Sequence, residues 1–301
     1  MVDLQRILCP IDFSLASKRA LDHAVVLAGW YGSRITVLHV NSPAFLPQPP
    51  ILFAEAPHPA AGEAERSVET QVLEWVAPIR SAGIPVDVAF EPSHSPATGI
   101  LRCAQALPAD LIVLGTHGRG GFERFMLGSV AEKVLRKARW PVLTVPPPAT
   151  HVTKLPFKQI LCPVDFFEPS LSALRYAFSI AQESNAALTL LHAIEWPVED
   201  EIVVDRALDF PEYRARMEAE AARRLNASVP ADARLWCDPV TEVVWGKAYR
   251  AILDAAERRG ADLIVMGVRG RHPLDLLLFG STTNQTVRQA PCPVLTLGPK
   301  R

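Results

Sequence analysis

The chain has 301 residues, which fits about two domains of ordinary size. Its 49% hydrophobic and 21% charged residues exclude a disordered or collagen-like polypeptide. The formal net charge is −1, and neither half carries the positive surplus on which backbone-driven nucleic-acid binding draws, so no nucleic-acid partner is expected. The five cysteines are scattered and form no CxxC, which argues against a disulfide scaffold or a zinc ribbon. The chain opens Met1-Val-Asp-Leu-Gln-Arg6 and runs straight into a strand pattern, with no signal peptide. The uncharged run Ile35–Ala54 is long enough to span a bilayer, but Pro43, Pro47, Pro49 and Pro50 make it a strand followed by a loop. A cytoplasmic protein with reduced thiols and no membrane contact is expected.

In chain order, short apolar runs alternate with helical patterns. Strands are predicted over 5–11, 34–40, 85–90, 110–115 and 141–145, and helices over 15–31, 62–82, 96–107 and 129–139. Ser14 is a candidate N-cap for the first helix and Gly32 its stop. The runs Arg6–Ile11 and Leu111–Leu114 are apolar throughout, as in strands covered on both faces. Alternation of this kind predicts parallel sheets with right-handed crossovers.

The plan then repeats. Arg6-Ile-Leu-Cys-Pro-Ile-Asp-Phe13 recurs as Gln159-Ile-Leu-Cys-Pro-Val-Asp-Phe166, Asp110-Leu-Ile-Val-Leu-Gly115 as Asp262-Leu-Ile-Val-Met-Gly267, and Pro141-Val-Leu-Thr-Val145 as Pro293-Val-Leu-Thr-Leu297. The second copy is expected to place strands near 159–164, 187–193, 240–245, 262–267 and 293–297, with Ala231–Pro239 undecided between loop and strand. The expected organisation is a domain over 1–146, a proline-rich linker over 147–157 and a second domain over 158–301.

The most informative segment follows the fourth strand of each copy. Gly115-Thr-His-Gly118 leads to Gly128-Ser129, and Gly267-Val-Arg-Gly270 leads to Gly280-Ser281, so both fit G-x2-G-x9-G-S. Glycines after a strand let the backbone turn tightly and approach a ligand. A Gly-Ser pair opening a helix gathers free N–H groups and the positive dipole end, which suits an anion. Arg119 and Arg124 in the first loop, and Arg269 and Arg271 in the second, would either meet phosphate or stay solvated. Walker A and GxGxxG patterns are absent, which disfavours a P-loop kinase or a dinucleotide dehydrogenase.

This duplicated spacing, each time after Asp-Leu-Ile-Val and each copy opening with Pro-(Ile/Val)-Asp, resembles the universal stress protein family over about 1–146 and 158–298, in its tandem, ATP-binding form. The resemblance implies an α/β fold of two tandem Rossmann-like domains, each an open five-stranded parallel sheet of order 3-2-1-4-5 flanked by helices. It implies ATP, with Mg²⁺ on its phosphates, or ADP or AMP, bound where the strand order reverses. By resemblance, Pro10, Asp12 and Val40 line the adenosine pocket of the first copy. Gly115, Gly118, Arg119, Gly128, Ser129 and Val130 hold ribose and phosphates there. Pro163, Asp165, Ala193, Gly267, Gly270, Arg271, Gly280, Ser281 and Thr282 correspond in the second copy. The resemblance also implies that the two copies pair through their fifth strands, and it allows a homodimer of chains. His272-Pro273 replaces Gly120-Gly121 in the second loop and stiffens it.

The expected role is that of a stress-response regulatory protein that binds adenine nucleotide, not of an enzyme. A slow ATPase would need a water-positioning base, for which His117, Glu123 and Asp275 are candidates by proximity in the chain alone. A structural stress protein with a non-nucleotide ligand is the third alternative. Other repeated residues read as structural: Cys9 and Cys162 as small buried thiols, and His39 and His192 as hydrogen-bonded core imidazoles. Capping of the following helix by Asp12 and Asp165 is compatible with ligand contact. The six tryptophans read as packing residues, Ser42–Pro59 as an insertion and Glu212–Arg224 as a solvated helix face. No metal-ligand spacing is present.

Overall fold

A computed structural model describes residues 4–41, 59–116, 127–147, 149, 157–195, 210–235, 237–268 and 280–298. The first half runs β1 (Arg6–Ile11), α1 (Leu15–Tyr31), β2 (Arg34–Asn41), α2 (Pro59–Ser81), β3 (Val86–Pro92), α3 (Pro96–Ala106), β4 (Leu111–Gly115), α4 (Ser129–Lys137) and β5 (Val142–Val145). The second half repeats it with β6 (Gln159–Pro163), α5 (Glu168–Ser184), β7 (Ala187–Ile194), α6 (Phe210–Ala227), β8 (Val240–Trp245), α7 (Ala248–Arg259), β9 (Leu263–Gly267), α8 (Ser281–Gln289) and β10 (Val294–Leu297). The undecided stretch before β8 holds a 3-10 turn at Asp232–Leu235. The Pro-rich insertion lies outside the described residues, apart from Pro59 at the start of α2.

The sheet order is β3-β2-β1-β4-β5-β10-β9-β6-β7-β8. Each half therefore keeps the order 3-2-1-4-5, with parallel neighbours throughout. The halves meet at β5 and β10, which run antiparallel with Leu143 opposite Leu295. Thr144 donates its hydroxyl to the Val294 carbonyl and Thr296 donates to the Val142 carbonyl, each at 3.1 Å and buried. The fifth strands, the edge of each half, are thus internal to one sheet of ten strands.

Helices cover both faces, and the period-two alternation of the strands feeds both layers. Ile7, Cys9 and Ile11 of β1 point into the core under α1, α2, α5 and α6, while Leu8 joins the core under α3, α4, α7 and α8. Each core contains residues of both halves. At the amino ends of the strands, Asp110 Oδ2 accepts the amides of Gln5 and Arg6 at 2.9 and 2.8 Å. Asp262 repeats this on Lys158 and Gln159 at 2.7 and 3.0 Å. The aspartate of each Asp-Leu-Ile-Val thus ties the start of β4 or β9 to the strand beside it. No helix among the described residues is long and apolar enough to cross a membrane.

On α1 the His23 ring is buried, with Nδ1 2.9 Å from the Arg19 carbonyl. Burial holds its pKa below the usual 6.5, against the opposing pull of that carbonyl and of Asp22. A histidine depressed in the folded state adds stability that is full above 6.5 and is lost as pH falls toward the folded value. Urea unfolding at about pH 7 and about pH 5 is expected to show a fall in stability that is smaller in His23→Leu.

Candidate functional site

In each half the chain leaves the first strand toward one face of the sheet and the fourth strand toward the other. The crevice between the carboxyl ends of β1 and β4, and of β6 and β9, is where ligands bind in sheets of this kind. Asp12 and Asp165 stand just past the ends of β1 and β6. They do not cap a helix directly. Asp12 Oδ1 accepts the Ser14 amide and Asp165 Oδ1 accepts the Phe167 amide, both at 3.0 Å. The Asp12 amide donates to Ser17 Oγ at 3.3 Å and the Asp165 amide to Ser170 Oγ at 3.2 Å. Ser14 is the N-cap of α1, its Oγ accepting the Ser17 amide at 3.1 Å. In the second half Phe167 takes that place and supplies no side-chain cap.

The turn needs a left-handed residue, and in both copies it is a phenylalanine: φ is 61° at Phe13 and 64° at Phe166. This conformation costs roughly 1–2 kcal/mol for a residue with a Cβ. The ring of Phe13 stands 5.0 Å from that of His39, and Phe166 4.4 Å from His192. Phe13 also meets Trp75 edge-on at 5.4 Å, whereas Phe166 carries the Arg224 guanidinium over its face at 4.2 Å. Val40 lies beside the same end, packed so closely by α3 that a Cβ on Gly99 would fall 3.0 Å from Val40 Cγ1. Ala193 holds the matching place on β7. Pro10 and Pro163 are half-buried near the carboxyl ends of β1 and β6.

The first glycine of each loop has a packing reason. A Cβ on Gly115 would lie 2.8 Å from the Ala16 carbonyl carbon and oxygen, and one on Gly267 would lie 2.3 Å from those of Pro169. The first turns of α1 and α5 rest directly on these positions, so bare backbone is required there. The loop of the first half is pinned at its exit, where the Gly128 amide donates to the Thr116 carbonyl at 2.7 Å. Gly128 and Gly280 are the N-caps of α4 and α8 and offer no side-chain cap. Their opening amides have no intrahelical partner and receive no cap from the N-cap residue itself. Ser129 and Ser281 are exposed, and Val130 and Thr282 half-buried. Gly118, Arg119, Arg124, Arg269, Gly270 and Arg271, together with His117, Glu123 and Asp275, lie outside the described residues.

Cys9 and Cys162 are fully buried, and burial pushes their thiols far up, so neither serves as a nucleophile. The described residues contain no cluster of three or more metal-ligating side chains. Sequence reasoning passed over Ser17, Ser170, Phe13, Phe166 and Gly99. The serines were legible as a repeat three residues beyond positions 14 and 167. The phenylalanines stood inside the quoted repeat, but nothing in the sequence marks a left-handed residue that is not Gly or Asn.

Comparison with known proteins agrees with this architecture. The model of the universal stress protein family matches residues 3–146 and again 156–297. A universal stress protein of Mycobacterium tuberculosis is 26% identical over 296 residues, covering 95% of this chain and 94% of its own. One from Thermus aquaticus is 37% identical over 142 residues, covering 46% of this chain and 97% of its own. The crystal structure of an Archaeoglobus fulgidus universal stress protein shares the fold at a TM-score of 0.67 and 23% identity, covering 97% of this chain and 96% of that one. The chain belongs to the universal stress protein family, with two family domains in tandem.

The glycine contacts carry a direct test. Gly115→Ala and Gly267→Ala are each expected to lower stability by about 1–3 kcal/mol in denaturant unfolding, because backbone cannot yield as a side chain does. Gly267→Ala is expected to cost more, since its clash is closer.

Proposed function

We propose that this protein is a stress-response regulator that binds an adenine nucleotide, ATP, in the carboxyl-end crevice of each half. The observation that carries the reading is a juxtaposition built twice. An aspartate turn follows the first strand, beside the fourth strand that ends at Gly115 or Gly267, and Gly128 or Gly280 opens the next helix without a side-chain cap. A carboxylate accepts hydrogen bonds from ribose hydroxyls, and helix-opening amides bind phosphate. Asp12 and Asp165 are assigned to ribose, and Val40 and Ala193, with Pro10 and Pro163, to the wall against adenine. Gly115, Gly128, Ser129 and Val130, and Gly267, Gly280, Ser281 and Thr282, are assigned to the phosphate side. Gly118, Arg119, Gly270 and Arg271 are proposed to hold ribose and phosphates as well. Mg²⁺ would arrive on the phosphates and offset their charge.

In this reading the nucleotide acts by selecting one conformation of the protein, which a partner then recognises. The β5–β10 ladder joins the two halves that carry the sites.

The experiment is a nucleotide count. Purified protein is denatured, and released adenine nucleotide is measured per chain before and after soaking in MgATP. One nucleotide per half is expected, with Asp12→Ala and Asp165→Ala each removing one. MgATP at about one hundred times its Kd is expected to add roughly 2.7 kcal/mol to the wild-type unfolding free energy. No bound nucleotide and no rise in Tm at millimolar MgATP would sink the reading.

A further inference from the structure

Two histidines stand outside every role assigned above, and the structure ties both to the same aspartate turn. His39 Nδ1 lies 3.0 Å from the Ile11 carbonyl, and His192 Nδ1 lies 2.7 Å from the Val164 carbonyl. Those are the peptide groups immediately before Asp12 and Asp165. A carbonyl only accepts, so Nδ1 carries the proton in both copies. The same two rings pack against Phe13 and Phe166, the residues immediately after the aspartates. Each imidazole therefore touches the chain on both sides of an aspartate. Phe13 and Phe166 are the only non-glycine residues with positive φ, besides Asn185, among the described residues. A left-handed phenylalanine persists only where its surroundings over-determine it. The surroundings include the imidazole below and a second group outside, Trp75 in one half and Arg224 in the other. The outer group differs between the halves, while the imidazole and its hydrogen bond do not. The imidazole is therefore the element common to both copies.

We propose that His39 and His192 are positioning residues. Each clamps the turn through a hydrogen bond before the aspartate and a ring contact after it, and so aims the carboxylate into the crevice. The turn itself is read by the hydrogen bonds it makes, from the Ser14 and Phe167 amides to the aspartates and from the aspartate amides to Ser17 and Ser170. The consequence for ligand affinity rests on the nucleotide reading above; the consequence for the turn does not.

The duplication supplies an internal control. His39→Leu is expected to raise amide hydrogen exchange at Asp12 and Ser14 by about tenfold, leaving Asp165, Phe167 and the β4 amide of Ile112 as in wild type. His192→Leu is expected to do the reverse. MgATP affinity, measured by calorimetry, is expected to fall by about tenfold at one of the two sites. His39→Asn places an amide donor near the Nδ1 position and is expected to restore most of the protection and affinity, which a merely space-filling role would not predict. His39→Gln, whose donor sits one bond too far out, replaces the leucine variant if that chain does not fold, with the same loss expected. Unchanged exchange at Asp12 and Ser14 would overturn the proposal. So would exchange that rises equally at Ile112, because the histidine would then support the fold at large. If the wild-type protein binds no MgATP, the nucleotide reading falls and the exchange pattern alone decides whether the histidines hold the turn.

Discussion

Two helices begin directly on top of two glycines, and the geometry of both crevices depends on that contact. The first turn of α1 can cross the end of β4 only because Gly115 has no Cβ, and α5 crosses β9 over Gly267 for the same reason. This close approach seats the start of α1 on the end of β4, the strand paired with β1. A glycine that looks like ligand chemistry in a motif is, at this position, a requirement of packing between backbone segments. The motif ends at Gly128 and Gly280, where helices open without a side-chain cap.

Duplication gives the molecule a second constraint. The fifth strand of an isolated half would expose a row of backbone donors and acceptors beside apolar side chains, an arrangement that invites pairing. Here β5 and β10 satisfy each other, and the reciprocal threonine hydrogen bonds fall on either side of the central pair Leu143 and Leu295. Both cores then run unbroken from one half to the other. The outer edges, β3 and β8, are treated differently. They carry charges tied by ion pairs, Glu91 with Arg102, and Glu242 with Arg258 and Arg259. Charged side chains of this kind discourage further strand addition.

The two crevices share a frame and differ in furnishing. The aspartate turn, the serine behind it and the imidazole beneath it are the same in both. The outer cover is an aromatic edge in one half and a guanidinium in the other. The second half also lacks the serine cap on its first helix. What is common concerns how the chain turns at the end of the first strand, and what differs lies at the periphery. Divergence after duplication is tolerated where a side chain faces outward, and resisted where it holds a strained backbone.

The strand order of each half came with the family resemblance; the sequence by itself was enough for the repeat, the element boundaries to within a few residues and the parallel character of the sheets. Those features follow from local periodicity and from turn residues, both of which are written along the chain. Asp12, Asp165 and the Gly-Ser helix starts were legible for the same reason, since short-range spacing carries their chemistry. The left-handed conformation of Phe13 and Phe166 was not legible, because it runs against local preference and the rings they pack against, His39 and His192, lie on the neighbouring strand. Nor did the chain reveal that Gly115 and Gly267 serve helix packing, because their partners, Ala16 and Pro169, lie about a hundred residues away and meet them only once the sheet is assembled. Local pattern decided what each segment becomes; contacts between distant segments decided which atoms face the crevice.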